Sequence, residues 1–356
     1  MSEFRTTLET FEGQVLTPTT WGPDAVNTPM IRHWVETMGD TNPVYLDDNA
    51  AHATGRDRAV APALMTQVWT MRTFTDRMAD NDPSQVWTDL IAIFDEAGFT
   101  SVVATDSDFE FFVELKPGDR VSLTEVIEEI SEEKRTSLGA GHFVTTRKTY
   151  RNGDDEIVAT QRWRTLRFAP KTAGASTGLP PQPALNADNA FRFDTAAQHR
   201  PVIQRCTARG TLQHPASRGY QDVTVGELLP ELAIPLTRTL IVSTAIATRD
   251  FQDVHHDPEL ARERGSKDIF MNILTSNGLA GRFVTDWAGP FVTVRRVEIR
   301  LGAPNYPGDT MMMTGAVISK ENGLVEVKIV GANSLGNHLS GTVTVAYPAA
   351  DEGKGA

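Results

Sequence analysis

One loop occurs twice in this chain, and that repeat constrains the fold more than any other feature. Gly39-Asp40-Thr41-Asn42-Pro43-Val44-Tyr45-Leu46-Asp47 lies in the first half, and Arg249-Asp250-Phe251-Gln252-Asp253-Val254-His255-His256-Asp257 in the second. The first Asp recurs, and so do the Val and the Asp that flank the fifth position after it. That fifth position is His255 in one copy and Tyr45 in the other. A second landmark also repeats, as Pro117-Gly118-Asp119 and Pro307-Gly308-Asp309. Landmarks repeated in the same order imply two copies of one unit, and a closed two-fold pair is the commonest way for such copies to meet.

The pattern between the landmarks gives the class of that unit. Thr28 to Met38 places Ile31, Trp34, Val35 and Met38 on one helical face. Ala61 to Phe74 reads as a second apolar, helix-like run, and Ile269 to Trp287 as its counterpart in the second half. Strand-like runs follow each helix: Phe109 to Leu115, Val121 to Val126, His142 to Thr146 and Val158 to Trp163, then Thr310 to Ile318, Leu324 to Ala332 and His338 to Tyr347. A helix followed by antiparallel strands, used twice, is an α+β arrangement with a sheet wrapped on a long helix. The expected division is 1–170 for the first domain, 171–220 for a linker rich in Ala, Pro, Gly and Ser, and 221–350 for the second domain.

Composition narrows the function classes. A formal net charge of −12 argues against a nucleic-acid partner. No apolar run is long enough to span a membrane, and the N-terminus lacks a basic start and an apolar core, so a cytoplasmic protein is expected. The single cysteine, Cys206, excludes an internal disulfide and a multi-cysteine zinc site. His255, His256 and Asp257 are adjacent but lack an evident third ligand, so no metal site is expected. Asp257-Pro258-Glu259 reads as a helix start, with Asp257 as cap. The acidic run Glu125 to Glu133 reads as a solvated strand end.

Asp250 and His255 are the candidate chemistry. On an ideal helix, five positions turn a side chain by about 140° net, so the two would point apart. They can meet on one water only if the backbone between them leaves the helix. Two readings of the pair stand at this level: a capping Asp beside a surface His, or a general acid/base device. The Asp recurring as Asp40 fits both.

Beyond these readings, the loop resembles the hydratase motif of the MaoC-like, hot-dog-fold enoyl-CoA hydratases, roughly Gly-Asp-x-Asn-Pro-hydrophobic-His. The first copy keeps Gly39, Asp40, Asn42, Pro43 and Val44 but has Tyr45 for His. The second keeps Asp250 and His255 but has Arg249, Gln252 and Asp253 for Gly, Asn and Pro. Three stretches, Ile241 to Asp257, Gly265 to Thr275 and Val284 to Pro290, closely resemble the catalytic subunit of two-subunit steroid side-chain enoyl-CoA hydratases. The resemblance implies a tandem hot-dog fold with a degenerate half first and a catalytic half second. It implies hydration of a steroid enoyl-CoA of the 3-oxo-pregnadiene-20-carboxyl type to a 17-hydroxy acyl-CoA.

Asp250 and His255 would then be catalytic, Asp40 and Tyr45 their degenerate counterparts, and the backbone of Asn272 the candidate oxyanion donor. Coenzyme A enters only as part of the substrate, and no other cofactor is implied. The extra residues between Asp40 and Asp119, about twenty more than between Asp250 and Asp309, would make room for the ring system. An aldolase partner, if used, would be met through another chain. An internal pseudo-dimer is expected, with a homodimer of chains as a further assembly.

Overall fold

The computed structural model describes residues 3–79, 83–136, 138–170 and 218–348. The linker expected at 171–220 falls almost entirely outside the described residues, as does Cys206. The strands of the first half are β1 (Val15–Trp21), β2 (Ser101–Phe111), β3 (Ser122–Ile130), β4 (Lys134–Arg135), β5 (Gly139–Arg151) and β6 (Ile157–Pro170). Those of the second are β7 (Leu232–Leu236), β8 (Thr293–Leu301), β9 (Asp309–Glu321), β10 (Leu324–Asn333) and β11 (Gly336–Ala346).

All but the short β4 lie on one path, β1-β3-β5-β6-β2-β8-β11-β10-β9-β7, and β4 pairs with β5. Read outward from its middle, the path has the same order on both sides, so the two halves are related by a pseudo-two-fold axis. The seam is the antiparallel pair β2–β8, in register from Asp106↔Arg300 to Glu110↔Arg296. Arg296 crosses it with two 2.8 Å bonds to the Asp108 carboxylate. This is the expected double hot dog.

The second half has its long helix at Ile273–Ala288. Asn272 caps it by accepting from Thr275 N at 2.8 Å, and Gly289 ends it at φ 90°. Asn272 in this capping position is why the helix starts later than Ile269. Nearly every residue of the helix is buried, because the first half packs on it too. Gly278 and Gly281 admit that contact: a Cβ on either would stand 2.7 Å from Trp34 or Leu64.

The first half departs from the expected long helix. Its counterpart is a 3-10 turn, Ala63–Met65, and a four-residue helix, Thr66–Trp69. The apolar run continues past Trp69, but the Thr73 hydroxyl accepts from Asp76 N and starts a separate helix, Phe74–Met78. A local side-chain bond has displaced continuation of the main-chain ladder.

A second apolar cluster covers the far end of β3 and β5. There the Glu3–Glu9 and Gln85–Glu96 helices bring Leu8 and Phe94 against Ile127, Ile130 and Val144. The acidic run is therefore not wholly solvated, since Glu125 is buried. Among the aromatic residues of the first half, Trp34, Trp69, Phe109 and Phe111 are core, whereas Phe112 is exposed. No helix among the described residues is long and apolar enough to cross a membrane.

Candidate active site

The two loops follow the same backbone path. In the first half the Thr28–Met38 helix ends at Gly39, φ 65°, and a 3-10 turn follows at Pro43–Tyr45. In the second, the Arg238–Ala247 helix gives way at Arg249, φ 58°, and the turn is Asp253–His255. The left-handed residue redirects the chain after each helix. Gly adopts that conformation without steric cost, whereas Arg249 holds it at a cost. Asp257 caps the next helix with Pro258 in its first turn, as expected.

This path brings Asp250 and His255 together despite their five-residue spacing. His255 Nε2 lies 3.4 Å from Asp250 Oδ2, and the two side chains are only 6% and 4% exposed. His255 Nδ1 is 2.7 Å from the Phe270 carbonyl, so Nδ1 carries the proton that is donated there. With Nε2 also protonated the ring donates to Asp250 as an ion pair; in the neutral ring Nε2 presents a lone pair there instead. Phe270 also packs edge-on against the imidazole.

Asp250 is held from several sides. Asn272 Nδ2 donates to Oδ2 at 3.2 Å and to Thr248 Oγ1 at 2.8 Å. Gln252 N approaches Oδ1 at 3.4 Å. Burial alone would raise the carboxyl pKa. The His255 bond and charge, the Arg77 charge and the Gln252 N–H together bring it below the ordinary carboxylate value.

Asn272 stands between Asp250 and the Ile273–Ala288 helix, but its side chain is fully engaged in capping and in holding Asp250. The first-turn N–H groups of that helix have no intrahelical acceptor, which makes a helix start suited to meeting negative charge.

The first-half counterpart is built differently. Asp40 Oδ1 accepts from Asn42 N at 2.9 Å, as its pseudo-symmetric partner does from Gln252. Its pKa is pushed up to about 7, first by burial and then by the Asp286 charge, against the Asn42 N–H and Arg282. Tyr45 is buried, and burial, with the Asp40 charge, drives its phenol well above the usual range. A cleft beside it is lined by Tyr45, Arg56 and Glu114. Arg56 binds Glu114 through two nitrogens and also donates to the Pro290 and Val292 carbonyls at 3.0 Å, so a cation bridging the halves occupies this end.

Three contributors had no sequence signal. The Phe270 carbonyl sets the His255 tautomer, Thr248 shares the Asn272 amide, and Arg77 acts on Asp250 from the other half. Phe74, one turn before Arg77, packs edge-on against Phe251 with ring centroids 5.5 Å apart.

Comparison with known proteins places these observations. The family described as FAS1-like, dehydratase domain region, matches residues 14–161. A probable enoyl-CoA hydratase alpha subunit of Thermomonospora curvata is 53% identical over 217 residues, which is 60% of this chain and 68% of that protein. The 3-oxo-4,17-pregnadiene-20-carboxyl-CoA hydratase beta subunit of Mycobacterium tuberculosis is 55% identical over 119 residues, 33% of this chain and 92% of that one. A solved structure described as a MaoC-like dehydratase superposes with a TM-score of 0.68 at 20% identity, covering 96% of this chain and 99% of the other; it shows the fold alone.

Proposed function

The chain belongs to the MaoC-like hot-dog dehydratase family and is a hydro-lyase of the enoyl-CoA hydratase kind, and from that premise we propose that Asp250 and His255 hydrate a steroid side-chain enoyl-CoA. The observation that carries the catalytic assignment is the 3.4 Å approach of His255 Nε2 to Asp250 Oδ2 at the start of the Ile273–Ala288 helix. With the imidazole neutral, both facing atoms are acceptors. One water satisfies both by donating its two O–H groups, and its lone pair is left for the substrate.

His255 Nε2 takes a proton as the water oxygen bonds to Cβ. The π electrons move to the thioester as an enolate, and the proton held on His255 Nε2 is then delivered to Cα, completing addition of H and OH and returning the imidazole to its neutral form. The enolate oxygen needs preorganised donors. The backbone N–H groups of Asn272, Ile273 and Leu274 are the donors assigned to it, since Thr275 N is taken by the Asn272 cap. Asp250 stays ionised, orients the water and stabilises the imidazolium.

The steroid assignment is supported by the beta-subunit relative's name and by the first half of this chain. Its helix has four residues where the second half has sixteen, so less protein covers the sheet on the acyl side. The test follows loss of the conjugated enoyl-thioester absorbance with crotonyl-CoA and with a steroid 17(20)-enoyl-CoA. Rapid loss with the steroid and little with crotonyl-CoA is expected. Turnover of crotonyl-CoA alone would keep the hydratase and remove the steroid.

A further inference from the structure

The concave faces of the two half-sheets can be compared position by position, counting from the Pro-Gly-Asp turns. In the second half one cross-strand row is Val317-Val327-Val343-Val297, and the next is Gly315-Ile329-Gly341-Ile299. Both are apolar, as a surface beneath a long helix should be. The matching first-half rows are Ile127-Thr146-Trp163-Ser107 and Glu125-Lys148-Gln161-Phe109. Five apolar or glycine positions have thus become Ser, Thr, Glu, Lys and Gln, all buried. The substitution coincides with the shortening of the covering helix to Thr66–Trp69.

A buried polar strip is costly unless its groups are paired, and this one is only partly paired. Glu125 accepts from Thr146 at 2.6 Å and Thr17 at 3.2 Å. Lys148 Nζ stands 3.7 Å from Glu125 and 4.7 Å from the Trp163 ring centre, with N–H groups to spare. Gln161 is fully paired, with Tyr150, Ser107 and, at 3.3 Å, Gln67 of the Thr66–Trp69 helix. Ser107 also receives Asn277 Nδ2 from the second-half helix at 3.1 Å. Asn277 Oδ1, fully buried beside it, has no partner. About 7.5 Å of helix rise separates Asn277 from Asn272, which binds Asp250. The Ser107 end of the strip therefore lies about that far along the helix from the Asp250–His255 pair.

Resting on the steroid reading above, we propose that this strip, centred on Lys148, recognises a carbonyl oxygen on the ring system of the acyl group, at the end remote from the thioester. Lys148 donates to that oxygen, and Glu125 holds the ammonium in place. A buried site built to hydrogen-bond an oxygen discriminates strongly against the analogue lacking it, because its own groups are then left unpaired.

The experiment measures kcat/KM for two steroid enoyl-CoAs that differ only in the ring ketone. The wild-type chain should prefer the ketone by about 10- to 100-fold, the worth of one hydrogen bond to a charged group. Lys148→Met, and Lys148→Met combined with Glu125→Gln to avoid stranding a charge, should each bring that ratio close to one. Lys148→Arg should restore part of it. If the single variant does not fold, the double variant reads the same ratio. A wild-type ratio near one, with brisk turnover of both compounds, overturns the strip's role and leaves the steroid reading intact. A ratio that survives Lys148→Met in folded protein does the same. Turnover of crotonyl-CoA but of neither steroid removes the steroid reading itself, and the strip's role with it.

Discussion

At the scale of single residues, two aspartates at equivalent places have opposite electrostatics. Asp250 is pulled down by His255 and Arg77, so its contribution to stability exists above the unfolded carboxylate pKa and is lost as pH falls through its lower folded value. Asp250→Asn should lower kcat by roughly 100- to 10,000-fold while binding of the acyl-CoA persists, as single-turnover and equilibrium binding measurements would show. Arg77→Met should move the acid limb of the kcat/KM profile upward, and an unmoved limb would remove Arg77 from the site.

Asp40 behaves in the reverse sense. The unfolded chain loses its proton near 3.8 and the folded chain near 7. Between those values the folded state holds the extra proton, so this group's contribution to stability declines as pH rises from about 4 to about 7 and is flat above. Asp40→Asn should remove that decline and stabilise the chain by up to a few kcal/mol at about pH 8, measured by denaturant unfolding on both sides of the titration. Tyr45→Phe should leave turnover within about twofold, since general acid/base work of the size found for such groups is assigned to the other loop.

At the scale of elements, the left-handed turn and the helix starts carry the arrangement. Arg249 occupies a conformation that Gly39 adopts freely, and its ion pair with Asp24 at 3.3 Å involves a largely exposed partner and adds little. Arg249→Gly should therefore be neutral or stabilising by up to about 1 kcal/mol in thermal unfolding. Gly278→Ala should cost about 1–3 kcal/mol, because its Cβ would meet the Trp34 ring at 2.7 Å in a closed core. Hydrophobic periodicity made the second-half helix readable. The same periodicity ran past the true end of the first-half helix, because the break rests on a Thr73 side-chain bond that periodicity does not record.

At the scale of the whole molecule, the chain is a two-fold pair in which the second half holds the Asp–His pair and the long helix, and the first has Tyr45 for His and a four-residue helix. Each half supplies parts to the other: Arg77 to Asp250, Arg56 to the Pro290 and Val292 carbonyls, and Asn277 to Ser107. Cutting the chain within 171–217 should leave the two pieces associated and active through the β2–β8 seam. Size-exclusion chromatography with an activity assay would check this, and two pieces that separate or stay inert together would show that the covalent link is required.

The repeat itself, the alternation of apolar residues in the strands, and the Asp and His of the second loop were legible in the sequence, because each depends on neighbours within one segment. Local chemistry also named Asp257 and Pro258 as a helix start. Tertiary structure decided the rest. Whether Asp250 and His255 met depended on a backbone reversal at Arg249, a residue that does not advertise that conformation. The His255 tautomer depended on a carbonyl from another segment. The polar strip became visible only when β2, β3, β5 and β6 were laid in register, since its members are scattered along the chain and acquire a common meaning by sharing one buried face.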